Sequence, residues 1–321
     1  MLTSDKVDAI IGPASSTTTL GIIDKIKSNK VLECSGSNTS SELSVAGGAA
    51  DGYYFRTAPP DALQGPALAQ LLADDGRETI TILTRNDSYG TGFGESLQKA
   101  FEAGGGKVAV NAAYDPNASD FRADVSKIVG KGADANVVIG FNDDGGKVVK
   151  EMIGQSVGPK DVPLYTADGM QGSSFYKAVD PSNAAVVQGI KGTAPAAAPA
   201  GVKHPFQAAF AKTGVDTIFS PYYYDCTILV ALAAQQAKTD DPGSIKDKIL
   251  DLTRGGTKCQ TWKSCLDILN AGGNIDWDGA SGPVNFTDKH EPDQGIYDVW
   301  AYDAEGKPNN VKGVDQITIN D

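Results

Sequence analysis

The chain has 321 residues, a length that suggests about two domains at ~150 residues each. Hydrophobic residues make up 40% and charged residues 21%, enough apolar content for globular cores, while a net charge of -12 argues against nucleic acid and anionic membrane surfaces as partners. No run approaches the ~18–20 apolar residues of a membrane span, and Met1-Leu2-Thr3-Ser4-Asp5-Lys6 has neither the basic start nor the apolar stretch of a signal peptide.

Val7-Asp8-Ala9-Ile10-Ile11 is a short, partly β-branched apolar run that stops at Gly12-Pro13, which predicts a buried strand and a sharp turn. Hydroxyl residues fill positions 15–19. Leu20, Ile22, Ile23 and Ile26 then recur at helical spacing, with Asp24, Lys25 and Lys27 on the other side. The hydroxyls therefore sit at a helix N-terminus, where Ser and Thr satisfy free backbone N–H groups. Residues 31–34 predict a second strand, which ends in the hydroxyl-rich loop 35–41. Parallel strands joined by a helix place both loops at the carboxyl edge of the sheet. Two rows of donors then face one crevice, one of them at the positive end of a helix dipole, an arrangement that suits a small anion such as a carboxylate. Simple capping is the plainer alternative. The chain has neither G-x-G-x-x-G nor G-x-x-x-x-G-K-[ST], so neither a dinucleotide nor a nucleoside triphosphate is favoured.

Residues 53–56 predict a strand leading into Thr57-Ala58-Pro59-Pro60-Asp61, a boundary between lobes. Leu63, Ala67, Leu68, Leu71 and Leu72 form a helix stripe. Strands at 79–84, 108–113, 135–141, 163–166 and 186–193 alternate with helices around Phe93, Phe121, 148–157 and 173–178, which predicts a parallel sheet covered on both faces. The Pro/Ala-rich residues 193–201 mark the return crossing. Helices follow at 206–212, 222–238, 244–253 and 265–271, then a turn-rich stretch at 276–283, a third crossing near 288–292 and a last strand at 297–302. The expected fold is α/β, two doubly wound parallel-sheet lobes joined by a hinge. The first lobe comprises 1–58 and 196–288, the second 59–195 and 289–321. Such a pair binds small molecules in its cleft by closing.

Cys259 and Cys265 lie close together in a loop-like interval with neither His204 nor His290 near in sequence, so a local disulfide reads better than zinc and implies an oxidising compartment. Cys34 and Cys226 are expected as buried apolar thiols. Asp276-Trp277-Asp278-Gly279 lacks the spacing of a calcium loop. No metal or other cofactor is expected. Both histidines fall in predicted loops and no nucleophile elbow or Cys–His pair appears, which disfavours a hydrolase on the same scaffold.

The run at residues 7–16, the strand into Ser35-Gly36-Ser37-Asn38-Thr39 and the later Leu43, then Tyr53-Tyr54-Phe55-Arg56-Thr57-Ala58-Pro59, Asp87-Ser88-Tyr89-Gly90, Tyr165-Thr166-Ala167-Asp168-Gly169 and Gly282-Pro283-Val284-Asn285-Phe286 follow one another in an order that resembles the type I periplasmic-binding proteins. The likeness is strongest to the branched-chain amino acid (leucine/isoleucine/valine) and amide group of ABC-transporter receptors, and it covers nearly the whole chain. The resemblance implies a monomeric periplasmic or extracellular receptor, lipid-anchored as one option, that passes an amino acid or amide to a membrane permease. A ligand-sensing domain of the same fold is the alternative. Relatives begin with about two further βα units before the strand at Val7, so the first lobe is expected to be incomplete, residues 7–11 to form a sheet edge, and Cys34 to have had a possible partner in the missing part.

Residue by residue, the resemblance matches Ser16 and Thr39 to positions that hold a ligand carboxylate or ammonium. Asn38 stands where the leucine-binding relatives have Ala, and Ser15 and Ser37 are neighbours that cap or turn. In the second lobe it matches Tyr89 to a ligand contact, Phe141 to an aromatic wall, and Asp168 to an acidic partner of the ligand ammonium. A surface turn, a core position and an Asx turn are the respective structural alternatives.

Overall fold

The computed structural model describes residues 4–49, 51–215 and 218–321. The chain forms two α/β units, one of Met1–Pro60, Ala196–Gly295 and Asn320–Asp321, the other of Asp61–Pro195 and Ile296–Ile319.

The first unit opens with β1 (Ala9–Ile11), α1 (Ser16–Asn29), β2 (Leu32–Ser35), α2 (Glu42–Ala49) and β3 (Tyr54–Arg56). The three strands are parallel, in the order β1-β2-β3, so β1 is an edge and Ile11 is exposed. Strand alternation sorts the side chains of β2. Leu32 and Cys34 enter a core with Phe55 and with Leu229 and Leu232 of a later helix. Glu33 and Ser35 lie on the other face, where Thr19 of α1 donates to Glu33 at 2.8 Å and the second Glu33 oxygen stays buried without a partner. Burial pushes the Glu33 carboxyl up to about 7, against the Thr19 bond.

The second unit alternates strand and helix: α3 (Asp61–Asp74), β4 (Thr79–Arg85), α4 (Ser88–Ala103), β5 (Lys107–Tyr114), α5 (Arg122–Ser126), β6 (Ala135–Ile139), α6 (Asn142–Gly154), β7 (Leu164–Thr166), α7 (Tyr176–Val179) and β8 (Lys191–Pro195). Strands β5, β4, β6, β7 and β8 run parallel in that spatial order. Apolar faces of α3 and α4 cover one side through Leu68, Leu72, Phe93 and Leu97.

The chain returns to the first unit with α8 (Pro205–Phe210), α9 (Ser220–Ala237), α10 (Pro242–Ile249), β9 (Thr257–Cys259), α11 (Trp262–Asn270), β10 (Ile275–Gly279) and β11 (Gly282–Pro283). Then β12 (Gln294–Tyr302) joins β8 antiparallel, with β13 (Pro308–Asn310) and β14 (Ile317–Asn320) beside it.

Several expectations need correction. Residues 184–187 form a 3-10 turn; Gly189, at φ 86°, breaks the run, and the strand starts only at Lys191. The turn-rich stretch at 276–283 holds β10, whose Ile275, Trp277 and Gly279 are buried while Asp276 and Asp278 point outward toward Lys258. Period-two alternation was hidden there by acidic residues. The strand at 297–302 is not the last. Residues 289–295 belong to the first unit, where Glu291 pairs with Arg56 and the backbone of residues 285–293 closes a bridged turn.

Cys259 and Cys265 form the expected disulfide. Cys34 and Cys226 are not free thiols: they are bonded across 192 residues, because α9 lies directly on β2. Unfolded, unreduced protein should therefore show no reactive thiol. Chain-entropy reasoning assigns about 5 kcal/mol to the long loop and about 2 kcal/mol to the short one. Denaturant midpoints of paired Cys→Ala variants should fall further for Cys34/Cys226 than for Cys259/Cys265; the reverse order contradicts the linkage.

Glu33 sets a pH dependence. Its folded value lies above its unfolded one, so the native state takes up the extra proton and stability falls as pH rises from about 4.5 to about 7. Glu33→Gln should flatten that part of the curve and be more stable than the parent at pH 8, measured by denaturation at both pH values.

Candidate functional site

In the first unit the ends of β1 and β2 are laced together. Ser35 Oγ donates to the Pro13 carbonyl at 2.9 Å and accepts from the N–H groups of Ser37 and Asn38. Asn38, fully buried, donates its amide to the carbonyls of Pro13 and Ala14 at 3.1 and 3.0 Å, and its Oδ1 accepts from Tyr54 at 3.4 Å. Ser16 Oγ accepts from the N–H groups of Thr39 and Ser40, each at 3.2 Å. Beneath this, Arg56 donates to the carbonyls of Asn38 and Ser40 at 3.2 and 2.8 Å, to Ser44 Oγ at 2.8 Å and, through Nε, to Glu291 at 3.1 Å.

These contacts change the roles expected from sequence. Ser15 occupies the N-cap position of α1 with extended backbone, yet its hydroxyl does not bond back to the helix. Ser16 does not cap either; it ties the loop after β2 to the start of α1. Asn38 is a brace whose amide is spent inside the protein. Thr39 is buried, held through its backbone N–H. Sequence reasoning missed Tyr223 of α9, whose phenol shares a 2.7 Å hydrogen bond with Ser37 Oγ. Gly36 permits that approach: a Cβ there would stand 2.6 Å from the Tyr223 nitrogen.

In the second unit Tyr89 has Phe141 and Asp168 each against it. They come from the N-terminus of α4, the loop after β6 and a 3-10 turn after β7. Strands β4, β6 and β7 are parallel neighbours, so these three positions share the carboxyl edge of the sheet. The Tyr89 and Phe141 rings stack at 5.3 Å and 3°. Tyr89 Oη donates to Asp168 Oδ1 at 3.4 Å and accepts from Gly169 N–H at 3.3 Å. A Cβ on Gly169 would lie 2.4 Å from the Gly140 carbonyl and 2.9 Å from Tyr89 Oη, so the turn needs glycine. The Arg85 guanidinium covers Phe141 at 4.0 Å, itself held by Asp87 and Asp144 at 2.7 and 2.8 Å.

Asp168 is buried. Gln64 of α3 donates to its Oδ1 at 2.8 Å, and no Lys, Arg or His among the described residues bonds it. Burial pushes its carboxyl up to about 6, against the Gln64, backbone and Tyr89 hydrogen bonds. Burial likewise pushes the Tyr89 phenol up, with the charges of Asp168 and Asp61 adding to it. Gln64 was invisible as a site residue because it lies inside an apolar helix stripe. A buried polar side chain on such a stripe is the signal that finds it.

Arg56 and Glu291 are a buried pair, and losing one partner of such a pair costs about 3–5 kcal/mol. Arg56→Met and Glu291→Leu should each lower the urea midpoint strongly, and the double variant should be more stable than either single one. A weaker double variant would show that the pair is not what holds the loop.

The chain matches the periplasmic binding protein family over residues 1–306. It is 25% identical over 292 residues to the chemotactic signal transduction system substrate-binding protein BasB of Halobacterium salinarum, covering 88% of this chain and 67% of that protein. The branched-chain amino acid transporter substrate-binding protein LivJ of Streptococcus pneumoniae, solved with isoleucine, superposes with a TM-score of 0.75 at 22% identity, over 99% of this chain and 81% of that one. An ABC-transporter solute-binding protein of R. palustris, solved with 4-hydroxybenzoate, gives 0.76 at 17% identity, over 100% and 81%. At such identities the structures speak for the fold, while the match over nearly the full length settles the family: this chain belongs to the periplasmic binding proteins.

Proposed function

We propose that the chain is the extracytoplasmic solute receptor of an ABC importer, binding an amino acid or amide and delivering it, as a monomer, to a membrane permease. It carries out no reaction of its own. The observation behind this reading is Asp168: a buried carboxyl whose only side-chain partners among the described residues are the neutral Gln64 and Tyr89. Such a group calls for a cation, and a ligand ammonium supplies one. The loops of the first unit offer the complementary half, the N-terminal turn of α1 beside Ser15, Ser16 and Thr39, where the helix dipole favours a carboxylate. In this reading Asn38 shapes the first half by bracing it, and the stacked Tyr89 and Phe141 form the wall beside Asp168.

The names of relatives keep a second class of ligand in view, since a structural neighbour holds 4-hydroxybenzoate. The aromatic stack and a carboxyl near 6, able to donate when protonated, suit that class. Calorimetric titration with a panel of amino acids, amides and 4-hydroxybenzoate distinguishes the two. With an amino-acid ligand, Asp168→Ala should cost about 2–5 kcal/mol, roughly thirty- to several-thousand-fold in Kd, and Asp168→Asn should recover part of it. Protons compete with the ammonium for Asp168, so between pH 7 and pH 5 affinity should fall about tenfold. A best ligand without an amino group, or an unchanged Kd in Asp168→Ala, would remove the support for the amino-acid reading.

A further inference from the structure

Gln64 sits in the first turns of α3, fully buried, with its amide between two acceptors: Asp168 Oδ1 at 2.8 Å and the Thr193 carbonyl of β8 at 3.1 Å. Those acceptors fix which way the amide points, since turning it would set an oxygen against both. The orientation leaves Gln64 Oε1 buried without a partner. A buried acceptor left unpaired is a cost, so the fold keeps the donor on Asp168 at the expense of the other end of the same group. The second anchor, on the strand next to β7, ties α3 to β8 and holds the amide still.

We propose that Gln64 is a positioning residue: it occupies Oδ1 of Asp168 with a neutral donor, and so leaves Oδ2 as the oxygen that receives a cationic ligand group. The role of that cation rests on the function proposed above; the Gln64–Asp168 relation does not. Neutrality is the chemical point. A lysine or arginine at this place would satisfy the carboxylate permanently and compete with the ligand. Glutamine steadies the charged form without cancelling its charge.

Among the described residues, the surroundings leave no other resident cation for the task. Asp61 of α3 and Asp144 of α6 are acidic, and Tyr89 of α4 already bonds Asp168. Lys191 of β8 is held by both oxygens of Asp75, and Arg85 by Asp87 and Asp144. Tyr302 of β12 donates to the carbonyl of Met170 and sits against the backbone of Gly172.

The test is a carboxyl-carbon NMR titration of the full, ligand-free chain, with the Asp168 signal identified by its loss in Asp168→Asn. In Gln64→Leu the Asp168 midpoint should rise by about half to one pH unit, the worth of one lost hydrogen bond. Gln64→Met, unbranched and of similar volume, carries the same test if leucine disturbs folding. An unmoved midpoint in a folded variant overturns the proposal. Calorimetry with the best amino-acid ligand adds the second arm: Gln64→Leu should bind more weakly than the parent at pH 7 and close most of that gap at pH 8.5. A loss equal at both pH values marks a merely structural role and also overturns it. If the midpoint moves but the parent protein binds no amino-containing ligand, the amino-acid reading fails while the positioning of Asp168 by Gln64 stands.

Discussion

A guanidinium cannot lose its water without finding five donors' worth of partners and a negative charge. Arg56 meets that demand inside the first unit, and much of the unit is arranged around it. It sits at the end of a strand only three residues long, and it gathers two carbonyls from the loop after β2, a hydroxyl from α2 and a carboxylate from a segment more than two hundred residues later in the chain. The loop that carries Asn38 and Thr39 is thereby held from below by a cation and from above by Ser16 and Ser35. Its shape does not wait for a ligand.

At Asp168, in the second unit, a buried charge is resolved in the opposite way. Asp168 is as deeply enclosed as Glu291, yet among the described residues it has only neutral donors. Arg85 is close by, but it is committed to Asp87, Asp144 and the face of Phe141. The Arg56–Glu291 pair therefore completes its electrostatics internally, whereas Asp168, like Glu33 of the first unit, is a carboxyl poised between its charged and neutral forms. A rigid frame sets geometry, and an incompletely compensated group supplies the free-energy difference that a ligand can claim.

The alternation of strand and helix was legible because it rests on local periodicity, and so were the hydroxyl loops, because composition alone marks them. Partner choice was not legible. That Ser16 accepts from the N–H groups of residues 39 and 40, and that Asn38 is consumed by Pro13 and Ala14, depends on how two loops meet in space. Cys34 looked like an apolar thiol for the same reason, since nothing in its neighbourhood points across 192 residues to Cys226. In β10 the acidic residues at alternate positions mimicked a turn. Gln64 vanished within a helix whose leucines and alanines set the pattern, and only its partners reveal what it does.

The interleaving of the units has a consequence for how the molecule comes to exist. Most of the second unit is one continuous stretch, Asp61–Pro195, whereas the first needs Met1–Pro60 and Ala196–Gly295 together. A chain emerging in order from the ribosome completes the five parallel strands of the second unit while the βαβ segment of the first unit still lacks α9, the helix that covers Leu32, Cys34 and Phe55. For that interval the apolar face of β2 and β3 has no lid. The most vulnerable moment in this protein's life is therefore set by the order of its segments, and it ends when the helix carrying Cys226 arrives.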